Sequence, residues 1–295
     1  MPCRSPLQGY KNPDGSVTFG ERKNSLGRFG LLTFRCGVCR DCRLYRAREW
    51  AIRCYHEASL HSESCVLTLT FAKDPGTVRK KDLQLFFKRM RKHGLSFRYF
   101  AVGEYGENFT RPHYHVILFG KDFREDRYPW KRSKKGILLY RSPTIEKHWT
   151  LGHSDVSDMS MEAAGYCARY TMKKIQGDLA DEHYVREFHG VEIPVNPEFM
   201  VCSKNPALGL GWIQKYWDEV FPLDHVIYKG KECPVPRYYF RWLLANQPKV
   251  AEQVMLKRQQ HYEEMEYETG LRLMQAAKAR DLKTKRLARN FESDS

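Results

Sequence analysis

The sequence contains no run of about 18 or more apolar residues, the length that a transmembrane helix requires. Its first residues, MPCRSPLQGYKNPDG, lack the apolar segment of a secretory signal peptide. It also lacks a phosphate-binding loop of the Gly-x-x-x-x-Gly-Lys-Ser/Thr type, so the chain is not expected to unwind a duplex itself. These absences predict a cytoplasmic protein with no membrane partner.

Acidic residues are few relative to basic ones. The 295 residues include 35 Asp and Glu against 50 Lys and Arg, which gives a formal net charge of +15. Such an excess points to nucleic acid as a partner, because Lys and Arg that neutralise phosphates release bound counterions. The alternative is a generally basic protein without such a partner.

The odd number of cysteines, 9, argues against a complete disulfide framework. Three of them form two overlapping Cys-x-x-Cys spacings that resemble a zinc knuckle or an iron–sulfur run: Cys36, Cys39 and Cys42. Cys3 is the leading fourth ligand, with Cys54 and His56 as rivals. We expect a structural Zn²⁺ that ties down the N-terminal segment; the alternative is three reduced thiols in a loop.

Hydrophobic periodicity predicts the order of secondary structure. Helices are expected over 40–60, 79–93 and 160–176, and strands over 65–71, 97–105, 112–119 and 153–158. Residues 121–150 are basic and interrupted, which indicates an insertion or loop, and 250–290 are helical by composition.

The order β-α-β-β-α matches a ferredoxin-like antiparallel sheet with its helices on one face, within an α+β fold. We expect three segments along the chain. These are a Cys-rich segment with a helix at 1–60, a central domain at 61–245 and a helical tail at 246–295.

Two histidines flank Tyr114 on the predicted strand 112–119. Side chains alternate between the faces of a strand, so His113 and His115 point the same way. Glu104 precedes the hairpin turn and can come opposite them, while Glu107 is a rival within the turn. Two imidazoles and a carboxylate would hold Mg²⁺ or Mn²⁺ and leave positions for water or a phosphate oxygen. The alternative is a pair of structural histidines.

Two tyrosines lie four residues apart on the predicted helix 160–176. Tyr166 and Tyr170 therefore share a face, which Lys173 and Lys174 continue one turn further on. A phenol becomes a useful nucleophile when a metal withdraws charge from the phosphate and a nearby cation stabilises the phenolate. Attack on a phosphodiester would leave a 5′-phosphotyrosine and a free 3′-hydroxyl. Aromatic packing at helical spacing is the alternative.

Basic residues occur beside aromatic ones in two stretches. Residues 79–92 are rich in Lys and Arg, and 131–135 add a second basic group next to Tyr128 and Trp130. This mixture suits single-stranded DNA, whose bases stack and whose phosphates pair with cations. A solvated helix face and a solvated loop are the alternatives.

Three ordered motifs resemble a known superfamily. His113-Tyr-His115 fits the HUH motif, 166–174 looks like the tyrosine motif of two-tyrosine HUH replication initiators, and 65–71 is similar to their first strand. The chain looks like the replication initiation proteins of microviruses, especially the gokushovirus branch. There Gly-Glu-Tyr-Gly precedes Arg-Pro-His-Tyr-His, as at 103–106 and 111–115 here. The similarity is strongest over 65–175.

The resemblance implies an HUH-type ferredoxin/RRM-like sheet and an enzyme that nicks and rejoins single-stranded DNA at a phage origin to start rolling-circle replication. It implies dependence on Mg²⁺ or Mn²⁺, with His113 and His115 as ligands and Glu104 as a less certain third. Tyr166 and Tyr170 would be the nucleophiles. A host helicase and polymerase would be partners in the cytoplasm of a bacterial host.

Two other functions remain open at this stage. A relaxase or transposase would share the metal site, but relaxases commonly place their tyrosines ahead of the histidines. A zinc-containing nucleic-acid-binding protein without catalysis belongs to a different class, and it would keep its function without the tyrosines.

Overall fold

The structure is a computed structural model that describes residues 3–14, 16–19, 31–106, 111–133, 136–172, 179–188 and 190–265, with 275, 278, 279 and 282. Among these residues, none of the helices has the length and apolar character needed to cross a bilayer.

The strands in the described residues are β1 Leu7–Lys11, β2 Val17–Thr18, β3 Leu31–Phe34, β4 Ser64–Thr70, β5 Arg98–Tyr105, β6 Pro112–Phe119, β7 Tyr128–Arg132, β8 Leu138–Arg141, β9 Ser154–Asp158, β10 Val185–Phe188, β11 Val191–Pro194, β12 Phe199–Cys202, β13 His225–Tyr228 and β14 Lys231–Pro234. The helices are α1 Arg40–Ala58, α2 Lys80–Lys92, α3 Pro143–His148, α4 Met161–Arg169, α5 Leu179–His183, α6 Leu210–Leu223, α7 Arg237–Asn246 and α8 Pro248–Met265. A 3₁₀ turn, Tyr170–Met172, continues α4.

A seven-stranded antiparallel sheet forms the centre of the fold, with the strand order β12-β5-β6-β4-β9-β8-β7. The four strands expected from the sequence are adjacent within it, in the order β5-β6-β4-β9. The hairpin of β5 and β6 packs with β6 against β4, as a ferredoxin-like order requires. Smaller sheets pair β1 with β2 and β3, β10 with β11, and β13 with β14. The α+β class and the large antiparallel sheet are thus confirmed.

One face of the sheet packs against α2. Its buried residues recur at helical spacing, which creates a single apolar stripe: Leu83, Phe86, Phe87 and Met90. This stripe meets Leu67 and Leu69 of β4 and Trp149 after α3. Tyr114 of β6 is fully buried in the same core, and its hydroxyl donates to Asp82 Oδ2 at 2.9 Å and accepts from the Arg79 amide at 3.0 Å.

The other face packs against α1 and α4, so the expectation of helices on one face is wrong. Cys54 of α1 and Ala164 and Cys167 of α4 contact Val66 and Ile117 of the sheet in one core. The physical reason lies in the strands. β4 carries consecutive apolar residues that point to opposite faces, and a strand of that kind is buried on both sides.

Residues 121–150 are not a simple insertion or loop, because they contain β7, β8 and α3. β7 and β8 form a hairpin that extends the sheet beyond β9. Ser142 begins α3 by accepting a hydrogen bond from the Ile145 amide at 3.3 Å. The exposed, basic sequence of β7 masked its strand character, since an edge strand needs little apolar burial.

A third core joins α6, α7 and α8 to the β13–β14 hairpin and to Ile52 of α1. α8 accounts for the first part of the helix expected over 250–290; most of 266–290 lies outside the described residues. The division into segments at 60 and 245 stays a prediction.

Candidate metal centre and tyrosine pair

The two histidines and the glutamate come together on neighbouring strands. In the β5–β6 hairpin Glu104 lies directly opposite His113, and Val102 lies opposite His115. His113 Nε2 is 2.5 Å from Glu104 Oε1, and His115 Nε2 is 3.4 Å from the same oxygen. One ligand atom from each of the three residues lies within 4.8 Å of the others.

Glu104 is ionised in this environment. Burial alone would raise the pKa of its carboxyl, but the hydrogen bonds and charges of His113 and His115 outweigh burial and hold the pKa well below its usual range. A fully buried carboxylate beside two imidazoles fits a divalent cation, because carboxylate oxygen and imidazole nitrogen are both ligands of Mn²⁺ and related metals.

Further hydrogen bonds orient the two rings. His115 Nδ1 lies 3.2 Å from the Thr68 hydroxyl on β4, and His113 Nδ1 lies 3.2 Å from the carbonyl oxygen of Arg111. These contacts leave the Nε2 atoms directed at Glu104. Thr68 was not anticipated as part of the site. It lies on the predicted strand 65–71, but the sequence does not show that this strand pairs with β6.

The tyrosines project from α4 and its 3₁₀ extension onto the same face. Ser160 begins α4 by accepting a hydrogen bond from the Ala163 amide at 3.0 Å. Gly165 allows close approach on the outer side, since a Cβ there would lie 2.8 Å from the Tyr228 hydroxyl. The inner side carries Tyr166 and Tyr170, both buried.

The two phenols lie next to the histidine of β6. The ring of His115 is stacked on that of Tyr170, with centroids 4.6 Å apart, and meets Tyr166 edge-on at 5.2 Å. The hydroxyls of Tyr166 and Tyr170 are hydrogen-bonded to each other. The structure therefore brings the predicted nucleophiles against the predicted metal ligands, although about 50 residues separate them in the chain.

Two of the cations predicted near the tyrosines, Lys173 and Lys174, lie outside the described residues. The rival ligand Glu107 lies outside them too. The Arg169 guanidinium lies 5.6 Å from the Tyr166 ring centroid. Arg43 of α1 donates to the carbonyl oxygen of Met172 at 2.9 Å, and thereby fastens the end of the tyrosine helix. Local sequence patterns do not indicate this role of Arg43, because the contact spans 129 residues.

A second cluster of ligand atoms lies at the start of α1. It consists of four cysteine sulfurs within 4.8 Å of one another, from Cys3, Cys36, Cys39 and Cys42. Burial would raise the pKa of Cys39, but hydrogen bonds from the Arg4 and Cys42 amides lower it to about 6, whereas burial raises that of Cys42 to about 12. Four convergent sulfurs with an acidic thiol among them fit a tetrahedral thiolate metal site.

The rival ligands lie elsewhere. Cys54 is fully buried between α1 and α4, and the His56 ring is stacked on Trp212 at 3.5 Å. His56 Nδ1 also lies 3.1 Å from the Tyr239 hydroxyl. The arrangement therefore favours Cys3 as the fourth member.

Most of the chain is similar in sequence to known proteins. Residues 64–175 match the family model of the replication-associated protein ORF2/G2P. The chain is 32% identical over 262 residues to replication-associated protein VP4 of Bdellovibrio phage phiMH2K, which covers 84% of this chain and 79% of that protein. It is 27% identical over 270 residues to replication-associated protein ORF2 of Spiroplasma virus 4, which covers 82% and 80%. No solved structure matches.

A further relative is replication-associated protein ORF4 of Chlamydia phage 1, which is 26% identical over 215 residues. That match covers 69% of this chain and 52% of the relative, so the chain spans about half the length of that protein. The family model covers β4, the hairpin with the histidines and the tyrosine helix, which are the elements that form the site. The chain belongs to the family of phage replication-associated proteins and is a replication initiator of the microvirus type.

Proposed function

We propose that the protein nicks and rejoins single-stranded DNA at a phage origin through a 5′-phosphotyrosine intermediate. The observation that carries this proposal is the contact between the hydroxyls of Tyr166 and Tyr170 beside the ring of His115. Aromatic packing alone would not require two polar hydroxyls to meet in a buried position next to three potential metal ligands.

His113, His115 and Glu104 would hold Mg²⁺ or Mn²⁺. A bound divalent ion would draw negative charge from a phosphate oxygen and position the scissile phosphate. The protein side of the site is preorganised for this purpose, because Thr68 and the Arg111 carbonyl fix the ring orientations.

The phenolic oxygen of one tyrosine would attack the phosphorus atom. A bond then forms between that oxygen and phosphorus, and the bond from phosphorus to the 3′-oxygen breaks. The 3′-oxygen leaves as a hydroxyl, so one proton passes from the phenol to the leaving group. The covalent link conserves the energy of the broken bond, and a later 3′-hydroxyl can reverse the step without ATP.

The second tyrosine has two roles in this scheme. While its neighbour attacks, its hydroxyl can donate a hydrogen bond to the developing phenolate and so stabilise it. It is also a second nucleophile within reach of the same centre, as each round of strand transfer requires. Host helicase and polymerase would supply the unwinding and synthesis.

We further propose that the four-cysteine cluster binds a structural Zn²⁺. Cys3 lies in the N-terminal segment, Cys36 and Cys39 lie just before α1, and Cys42 lies in its first turn, so the ion would join the N-terminal segment to this helix. A non-catalytic zinc-containing binding protein would explain this cluster, but it would leave the tyrosine pair and the His–Glu cluster without a purpose.

The test is formation of a covalent adduct. Labelled single-stranded circular phage DNA is incubated with the protein and Mn²⁺, and a protein–DNA species that survives denaturation is sought. Wild type should form it, whereas a Tyr166→Phe/Tyr170→Phe variant should not, although both rings remain to fill the core. Tyr216→Phe, a change of the same chemistry on α6, serves as the control and should retain full yield. An adduct in the double variant would overturn the assignment of nucleophiles.

A further inference from the structure

Two large aromatic side chains are exposed at the outer edge of the seven-stranded sheet. Tyr128 and Trp130 lie on the last strand, β7, and are 45% and 48% exposed. Rings of this size gain free energy when they leave water, so their exposure indicates a binding role. We call β7 and β8 together, residues 128–141 without the undescribed 134 and 135, the edge hairpin.

The edge hairpin lies on the same cross-strand row as the catalytic centre. On β8 and β9, Tyr140 lies opposite Val156, and their neighbours Arg141 and Asp155 are therefore opposite each other too. From the site to this edge of the sheet, the row consists of His115, Thr68, Asp155, Arg141 and Tyr128. Side chains along such a row point to one face of the sheet, which is the face that carries the tyrosines.

Among the described residues, no helix covers the part of this face that leads from the site to the edge hairpin. α1 and α4 pack over the row that contains Val66 and Ile117, one full pleat away. Along the row from the site to the edge, Thr68, Asp155 and Arg141 stay partly exposed. These residues form a shelf that connects the tyrosine pair with the edge hairpin.

The charges on the shelf suit a polyanion. Lys131 Nζ lies 3.3 Å from Asp155 Oδ2 and offsets its negative charge. The Arg141 guanidinium lies over the Trp130 ring, 4.1 Å from its centroid. Exposed aromatic rings beside a guanidinium group are the chemistry that binds unpaired bases and their phosphates.

We propose that this shelf binds the single-stranded DNA next to the scissile phosphate, with bases stacked on Trp130 and Tyr128 and a phosphate paired with Arg141. This inference rests on the proposed nicking function, because it assigns the path of the substrate at that site. Four steps between neighbouring strands, at about 4.8 Å each, separate β6 from β7 by roughly 19 Å. At about 3.4 Å for each stacked nucleotide, the shelf accommodates roughly five nucleotides, or fewer in an extended strand.

Binding is tested apart from cleavage. In a Tyr166→Phe/Tyr170→Phe background no covalent link forms, and the affinity for a fluorescein-labelled oligothymidine is measured by fluorescence anisotropy. Trp130→Ala should weaken binding about tenfold, which is the size expected for the loss of one base–aromatic stack. Trp130→Phe should recover most of the affinity. The control Phe19→Ala removes an exposed ring next to β2, outside the seven-stranded sheet, and should have no effect.

Salt dependence separates stacking from charge. Arg141→Ala should reduce the slope of log affinity against log salt by about 1, the value expected for one lost phosphate contact, whereas Trp130→Ala should leave the slope unchanged. Equal affinities of the parent and Trp130→Ala for the oligothymidine would overturn the inference. It would also be overturned if Trp130→Ala weakened the binding of a duplex oligonucleotide as much as that of the single strand. If wild type forms no adduct with phage DNA but Trp130→Ala still weakens binding, the shelf stands and the nicking function fails.

Discussion

The imidazole ring of His115 is stacked on the phenol ring of Tyr170, with their planes inclined by only 16° and their centroids 4.6 Å apart. A candidate metal ligand thus packs directly against a candidate nucleophile. We expect the Tyr170 ring to help hold the His115 imidazole in place, and this effect of the ring can be tested separately from the role of the Tyr170 hydroxyl.

Tyr170→Ala should therefore weaken metal binding, whereas Tyr170→Phe should not. The alanine variant leaves a cavity beside His115 and loses about 3 kcal/mol of stability, while phenylalanine keeps the stacked ring. The measurement is the rise in melting temperature on addition of Mn²⁺, compared for wild type and both variants. Identical shifts in all three would show that the stacking has no influence on the ligand.

Glu104→Gln should abolish the Mn²⁺-dependent rise in melting temperature. The change keeps the shape of the side chain but removes the charge that a divalent ion requires, so bound ligand no longer favours the folded state. Glu57→Gln is the matched control. Glu57 is also buried and bonded to Arg98 at 2.6 Å, so its loss lowers stability without changing the response to metal. An unchanged shift in Glu104→Gln would remove this residue from the ligand set.

Wild type purified under reducing conditions should contain one Zn²⁺ per chain, and Cys39→Ser should contain little. Loss of the ion frees the N-terminal segment from α1, so the melting temperature should fall as well. Cys202→Ser changes a half-buried thiol outside the cluster and should leave the zinc content unaltered. Metal analysis of the three proteins decides the matter; wild type without zinc that also fails to bind added Co²⁺ would refute the site.

Gly165→Ala should displace the tyrosine helix. The added methyl group would meet the Tyr228 hydroxyl at 2.8 Å, and overpacking of this kind costs about 1–3 kcal/mol. Adduct yield and unfolding free energy should both decrease. The second change Tyr228→Phe removes the obstructing oxygen and should restore them, and a Gly165→Ala variant that is not rescued in this way would contradict the explanation.

Acidification should destabilise the protein through His56. Burial lowers the pKa of its imidazole to about 3, against 6.5 for the free side chain. Between these values the unfolded chain binds more protons than the folded one, so stability is full above 6.5 and falls as the pH drops towards 3. At pH 5 the loss is about 2 kcal/mol. Urea unfolding at pH 7 and pH 5 should show a smaller loss in His56→Gln than in wild type.

The local chemistry of the site was predictable, since alternation along β6 and the four-residue spacing on α4 each place two side chains on one face. Which faces meet depends on strand pairing across long stretches of chain. The contact of β6 with β4, which brings Thr68 to His115, is of this kind. Local periodicity carries no information about it.

The elements that the sequence does not predict are stabilised by partners distant in the chain rather than by their own hydrophobic patterns. β12 pairs with β5 about 100 residues away, and the hairpin around Tyr128 gains its strand geometry from β9. The position of α1 and α2 on opposite faces was likewise obscured. Val66 and Leu67 are adjacent in the sequence and point to opposite faces of the sheet, where they join different cores. A prediction that assumes a sheet covered on one face takes such residues for a single buried run.

Tyr114 has a consequence for anyone who wishes to graft this site onto another scaffold. A slip of β6 by one residue would turn this tyrosine into the site and the two histidines into the apolar interior. Its buried hydroxyl, bonded to Asp82 and to the Arg79 backbone, opposes that slip from the far side of the sheet. A transplant that copies the β5–β6 hairpin alone would lose these hydrogen bonds and with them the fixed register of β6. A transplant that also includes α2 would keep the register.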